Sequence, residues 1–110
     1  KEIRIMQPMI NNGSVQGSVI FVDGYGNVTT NISQAVFKDT GKGKSFEITF
    51  GRNDSFNKIH NSYNEVREGD GVCLFNSSGH LEIAINKGDA QKLFGLKTGD
   101  AIRIEFIRRS

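Results

Sequence analysis

The sequence predicts an all-β fold: a small, mainly antiparallel β-barrel with one or two short helices. Three observations point there. The chain has 13 glycines and a single proline, and its apolar runs are short and separated by glycine-bearing turns. Phe46, Ile48 and Phe50 alternate with Glu47 and Thr49, the period of two expected of a strand with one face covered. Several such runs need closure into a barrel to remove their exposed edges.

The elements follow in order. Residues 1–15 hold Pro8 and the polar stretch Asn11-Asn12-Gly13-Ser14, and read as a linker or lead-in. Residues 16–22 (QGSVIFV) form a continuous β-branched run, expected to be a strand covered on both faces. The turn Asp23-Gly24-Tyr25-Gly26-Asn27 joins it to a second strand over Val28-Thr29-Thr30-Asn31-Ile32, giving a hairpin. Ser33 suits the N-cap of a helical turn or two reaching Asp39. Gly41-Lys42-Gly43-Lys44 is a turn before the strand at Phe46–Phe50. Residues 51–68 are polar, with room for one short strand near Lys58-Ile59. Asn76-Ser77-Ser78-Gly79 closes a hairpin between 72–75 and 81–85, in which Leu81, Ile83 and Ile85 point inward. Asp89 caps a short helix over 90–94 that ends at Gly95, and Leu96 folds back on it. Thr98-Gly99-Asp100 then leads into a last strand with Ile102, Ile104 and Phe106 on one face.

Length and charge narrow the functional classes. At 110 residues the chain is one domain. A net charge of +2, from 14 basic and 12 acidic side chains, lacks the clustered basic face of a nucleic-acid domain. Arg108-Arg109 at the C-terminus serves solubility. No apolar run nears the roughly 20 residues of a membrane span, and no signal peptide is visible. The single cysteine, Cys73, permits no internal disulfide and fits a reducing, cytoplasmic compartment. Within Val72-Cys73-Leu74-Phe75 it reads as a buried, inert thiol.

On residues alone there is no catalytic set. His60 and His80 have no partners at metal-ligand spacing. No serine has the flanking glycines of a nucleophile elbow. The 23–27 turn is glycine-rich, but no helix or lysine follows as in a phosphate loop. Binding has better support. The same turn sets a carboxylate, an aromatic ring and a carboxamide within five residues, and a carboxamide can donate to and accept from an adenine edge. An ordinary hairpin turn uses the same residues and is the simpler reading. The hydroxyls of the 76–79 turn carry the same two readings. Tyr63 suits either stacking on a base or covering the barrel.

The run VIFVDGYGNVTTNI at 19–32 resembles the hallmark of the S-adenosylmethionine hydroxide adenosyltransferases: an Asp, a spacer, Phe-Gly-Asn, then Thr-Asn-Ile. Ser62-Tyr63 with Glu68-Gly69-Asp70 resembles a second segment of that family, and the stretch Asn76–Ala84 a third. Gly88-Asp89-Ala90, Leu93-Phe94-Gly95 and Gly99-Asp100 follow in order, so the likeness runs from Gly17 nearly to the end.

The resemblance implies a two-domain enzyme. An N-terminal α/β domain, missing here, would precede a C-terminal β-barrel at 16–110, with 1–15 as the lead-in and Lys1 marking a processed or truncated piece. It implies a homotrimer, with substrate held between the N-terminal domain of one subunit and the barrel of its neighbour. The reaction would be S-adenosylmethionine plus water to adenosine plus L-methionine, with no cofactor. The resemblance gives the adenine to Asn27 and to the backbone near Tyr63 and Lys87, and the methionine end to Asp23 and Ser77. It leaves no catalytic residue in this chain, because the family's hydroxide-positioning Asp, Arg and His lie in the other domain.

Tyr25 replaces the usual Phe, and Ser78 and Ile85 stand where the fluorinating members carry Arg, which favours the water-using branch. Two other readings stay open: a non-catalytic barrel binding a nucleotide or oligonucleotide, and a structural module that makes subunit contacts.

Overall fold

The computed structural model describes residues 6–107. Arg108-Arg109 and the first five residues of the lead-in lie outside them. Over these residues the fold is an antiparallel, nearly closed barrel of eight strands with two short helices. The strands are β1 (Met9–Asn11), β2 (Ser14–Val22), β3 (Val28–Ser33), β4 (Ser45–Phe50), β5 (Asp54–Phe56), β6 (Gly71–Phe75), β7 (His80–Ile85) and β8 (Ala101–Ile107). Their spatial order is β5-β4-β8-β2-β3-β7-β6, with β1 paired to the start of β2.

β2 ties the two halves together. Its first part, Ser14 to Ser18, pairs with β8, and its second, from Val19, pairs with β3. Between Val19 and Phe21 the register slips, because two steps along β2 match one along β3. Such a bulge bends the strand and re-aims the side chains beyond it. The expectation that both faces of β2 are covered is therefore corrected. Val15 and Val19 are buried, whereas Phe21 beyond the bulge is 57% exposed.

The barrel nearly closes where β5 meets β6. The Phe56 ring lies over Gly71, where a Cβ would come 2.6 Å from the ring, so only glycine permits that approach. Just past β5, His60 N donates to Cys73 O on β6 at 2.8 Å. Val15, Val19, Val28, Ile32, Ile48, Leu81, Ile83, Ile102 and Ile104 fill the interior. Cys73 is buried among them, which pushes its thiol pKa well up and keeps it protonated.

Both helices begin where the residues indicate, but the first runs two residues past Asp39 to Gly41, with Lys42 in the left-handed cap position. Ser33 Oγ accepts from Val36 N at 3.1 Å at the start of α1 (Gln34–Gly41). Asp89 accepts from Lys92 N at 2.9 Å at the start of α2 (Ala90–Phe94). Gly95 takes the left-handed cap position and Leu96 folds back into the core.

Three further segments differ from expectation. Part of the lead-in is structured: Met9–Asn11 forms a hairpin with β2 across Asn12-Gly13. The short strand in the polar stretch is Asp54–Phe56, not Lys58-Ile59, because Ser55 pairs with Thr49 across a tight turn after β4. On β7, Leu81, Ile83 and Ile85 point inward as the alternation predicts, yet Glu82 and Ala84 are buried too. A segment carrying a 3₁₀ turn (Tyr63–Glu65) lies across that outer face and is held there by Asn86 Nδ2 donating to Val66 O at 2.7 Å.

Candidate functional site

The turn between β2 and β3 is ordered by one carboxylate. Asp23 Oδ1 accepts from Tyr25 N at 2.8 Å and Asn27 N at 3.0 Å, and Oδ2 accepts from Asn27 Nδ2 at 3.1 Å. Asn27's amide nitrogen thus donates to Asp23, and its Oδ1 accepts from no group among the described residues. α2 clamps the turn from behind, since Gln91 N donates to Gly26 O at 2.9 Å. Gly26 has φ +84°, and a Cβ there would sit 2.0 Å from Asp89 Oδ1. The turn and the α2 cap therefore share one tight contact that admits no side chain.

Two clefts flank this turn, each within the size range of small-molecule sites. The first, about 510 Å³, is lined by Tyr25, Asn27, Tyr63, Ile85, Asn86, Lys87 and Gly88. Lys87 adopts a left-handed conformation with φ 55°, and its ammonium pairs with Glu68 at 2.6 Å. The second, about 600 Å³, includes Phe21, Asp23, Thr29, Asn61, Tyr63, Asn76, Ser77 and Glu82. Tyr63 lines both and forms the partition between them.

The partition is anchored from below. Tyr63 Oη donates to Glu82 Oε2 at 2.5 Å, and Asn76 Nδ2 donates to Glu82 Oε1 at 3.2 Å. Asn76 Oδ1 in turn accepts from Ser78 N, Ser78 Oγ and His80 N, which orders the 76–79 turn. Burial, then the hydrogen bond to Glu82, then the charges of Glu82 and Asp23 push the Tyr63 phenol up to about 12. Tyr63 therefore stays a neutral donor across the physiological range.

The sequence-predicted residues do not share one rim: the 23–27 turn opens β3 and the 76–79 turn opens β7, at opposite ends of that antiparallel pair, and the clefts on its outer face bring them together. Asp23, Tyr63 and Ser77 share the second cleft, and Asn27, Tyr63 and Lys87 share the first. Sequence reasoning missed Glu82 and Asn76 as site residues. Alternation along β7 places Glu82 in solvent, and only the non-local covering segment buries it. Asn76 reads as a turn former, which it also is. Among the described residues, no three His, Cys, Asp or Glu side chains gather at metal-binding distance. No helix among them is long and apolar enough to cross a membrane.

Fold and site together define a small β-barrel domain whose clefts present carboxamides, hydroxyls, a phenol and carboxylates hydrogen-bonded to one another. The chain belongs to the SAM hydroxide adenosyltransferase C-terminal domain family, whose profile matches residues 17–103. It is 31% identical over 97 residues to the (R)-S-adenosyl-L-methionine hydrolase of Thermus thermophilus, covering 88% of this chain and 34% of that protein. The chain thus spans about a third of that relative's length. Among solved structures it resembles an uncharacterized conserved protein from Thermotoga maritima, with TM-score 0.77, 32% identity, and 94% of this chain and 40% of that one covered. It also resembles a conserved hypothetical protein from Thermus thermophilus, with TM-score 0.67, 25% identity, and 96% and 39% covered.

Proposed function

We propose that this chain is the substrate-orienting C-terminal domain of an enzyme that converts S-adenosylmethionine and water to adenosine and L-methionine. The observation that carries the reading is the partitioned cleft. A long substrate with a flat, polar aromatic end and an amino-acid end needs two compartments meeting at its reactive centre. Asn27 Oδ1 suits the exocyclic amine of adenine in the first compartment, with backbone at Tyr63 and Lys87 along the ring. Asp23 suits the methionine ammonium in the second, and the Ser77 hydroxyl suits its carboxylate.

Holding both ends presents C5′ to one side for attack by water or hydroxide, with the thioether as leaving group. Fixing that in-line geometry is the domain's share of the rate. The group that positions the water belongs to an N-terminal α/β domain of a neighbouring subunit in a homotrimer. The enzyme is cytoplasmic and uses no cofactor.

The test is hydrolysis in ¹⁸O-labelled water. The whole protein should release methionine and adenosine carrying ¹⁸O at the 5′ hydroxyl, and the 110-residue chain by itself should release no adenosine above a protein-free control. Adenosine without the label, no adenosine from the whole protein, or turnover by the barrel alone would each contradict the reading.

A further inference from the structure

The second cleft holds an electrostatic imbalance. Glu82 is 6% exposed, and its two oxygens accept from a phenol and a carboxamide, both neutral. The ion pairs among the described residues are Arg67–Asp70, Lys87–Glu68 and Arg103–Glu105, and none involves Glu82 or Asp23. Asp23, in the same cleft, likewise accepts only from neutral N–H groups. The remaining lining, which includes Phe21, Thr29, Asn61 and Ser77, carries no charge. A buried carboxylate without a counter-charge is unfavourable. A concave cleft with low-dielectric walls focuses such a field on whatever enters it.

Resting on the proposed function, we infer that Glu82 is a specificity-determining residue that, with Asp23, makes the cleft select substrate by the positive charge on sulfur. Asp23 is matched by the methionine ammonium, and Glu82 supplies a second negative charge that only a sulfonium answers. The thioether formed on C5′ attack has lost that charge and is held less tightly, which favours departure of the methionine product. The same logic sets the kinetic signature. The sulfonium charge fades as the C–S bond breaks, so Glu82 favours bound substrate at least as much as the transition state. Removing its charge should therefore raise KM and leave kcat nearly unchanged.

The test uses two non-hydrolysable probes on the whole protein: S-adenosylhomocysteine, a neutral thioether, and sinefungin, in which a carbon bearing an amine cation replaces the methylated sulfur. Calorimetric titration should show sinefungin favoured by about tenfold or more, as expected of a charge pair in a partly desolvated cleft. In Glu82→Gln that ratio should shrink by about tenfold, and in Glu82→Asp, which keeps the charge, it should largely persist. The ratio cancels any change in the ends the probes share. An unchanged ratio in Glu82→Gln overturns the inference. So does a wild-type protein with no preference for the cationic probe, a result that needs no variant to fold. A wild-type protein that binds neither probe nor adenosine overturns the underlying functional reading instead.

Discussion

Replacing Gly26 with alanine is expected to lower the midpoint of thermal unfolding by about 10–20 °C. A left-handed backbone costs an L-residue about 1–2 kcal/mol. The new Cβ also sits 2.0 Å from Asp89 Oδ1, so it displaces the N-cap of α2, which is worth about 1 kcal/mol. A total of about 2–3 kcal/mol corresponds to the stated shift for a domain of this size. Gly24, two residues away in the same turn, is the control. Nothing lies within 4 Å of a Cβ built there, so Gly24→Ala should stay within about 0.5 kcal/mol of the parent. Differential scanning calorimetry of both variants checks the pair, and equal shifts would contradict the shared contact between turn and helix cap. Gly26→Ala should also lose adenosine binding, because Asn27 follows directly from the displaced residue.

Asp23→Ala should weaken adenosine by about 10–100-fold and the sulfonium substrate by more. The alanine removes the acceptor for Tyr25 N, Asn27 N and Asn27 Nδ2 together. The two Asn27 donors are partly buried, and each left unsatisfied costs about 1–3 kcal/mol, whereas the exposed Tyr25 N–H turns to water. The adenine compartment therefore depends on a residue proposed to serve the methionine compartment, and alanine cannot separate the two roles. Asp23→Asn can. It keeps an acceptor for the two backbone N–H groups and removes the charge. Adenosine affinity should then fall only a few-fold, while sinefungin affinity falls by about tenfold or more. Titration of both ligands against both variants is the measurement. Adenosine binding unaffected by Asp23→Ala would show that the turn does not rely on its carboxylate.

Local chemistry was legible in the residues. Ser33 and Asp89 cap the helices, Gly95 ends one, and the hairpins across 23–27 and 76–79 form where the turns stand. These features depend on neighbours within a few positions. The β1 hairpin was legible and passed over: Asn12-Gly13 is a strong two-residue hairpin signal, obscured by the polar residues around it. The bulge in β2 was not legible, because a run of Val, Ile and Phe looks the same whether or not its partner strand slips by one residue. Nor was the burial of Glu82. Alternation describes one strand against one core, whereas Glu82 is covered by a segment beginning some twenty residues earlier. The family motifs supplied Asp23, Asn27, Tyr63, Ser77 and Lys87, and the fold adds Tyr63 as the wall between the two groups.

A crystal structure of the whole protein with adenosine and methionine bound would decide whether Tyr63 divides the substrate. The adenine should lie in the Tyr25–Asn27–Lys87 cleft with its exocyclic amine about 2.7–3.2 Å from Asn27 Oδ1. The methionine should lie across Tyr63, its ammonium on Asp23 and its carboxylate near Ser77. Adenine and methionine found on the same side of Tyr63, or adenine in the separate groove bounded by Gln16, Arg52 and Arg103, would contradict it.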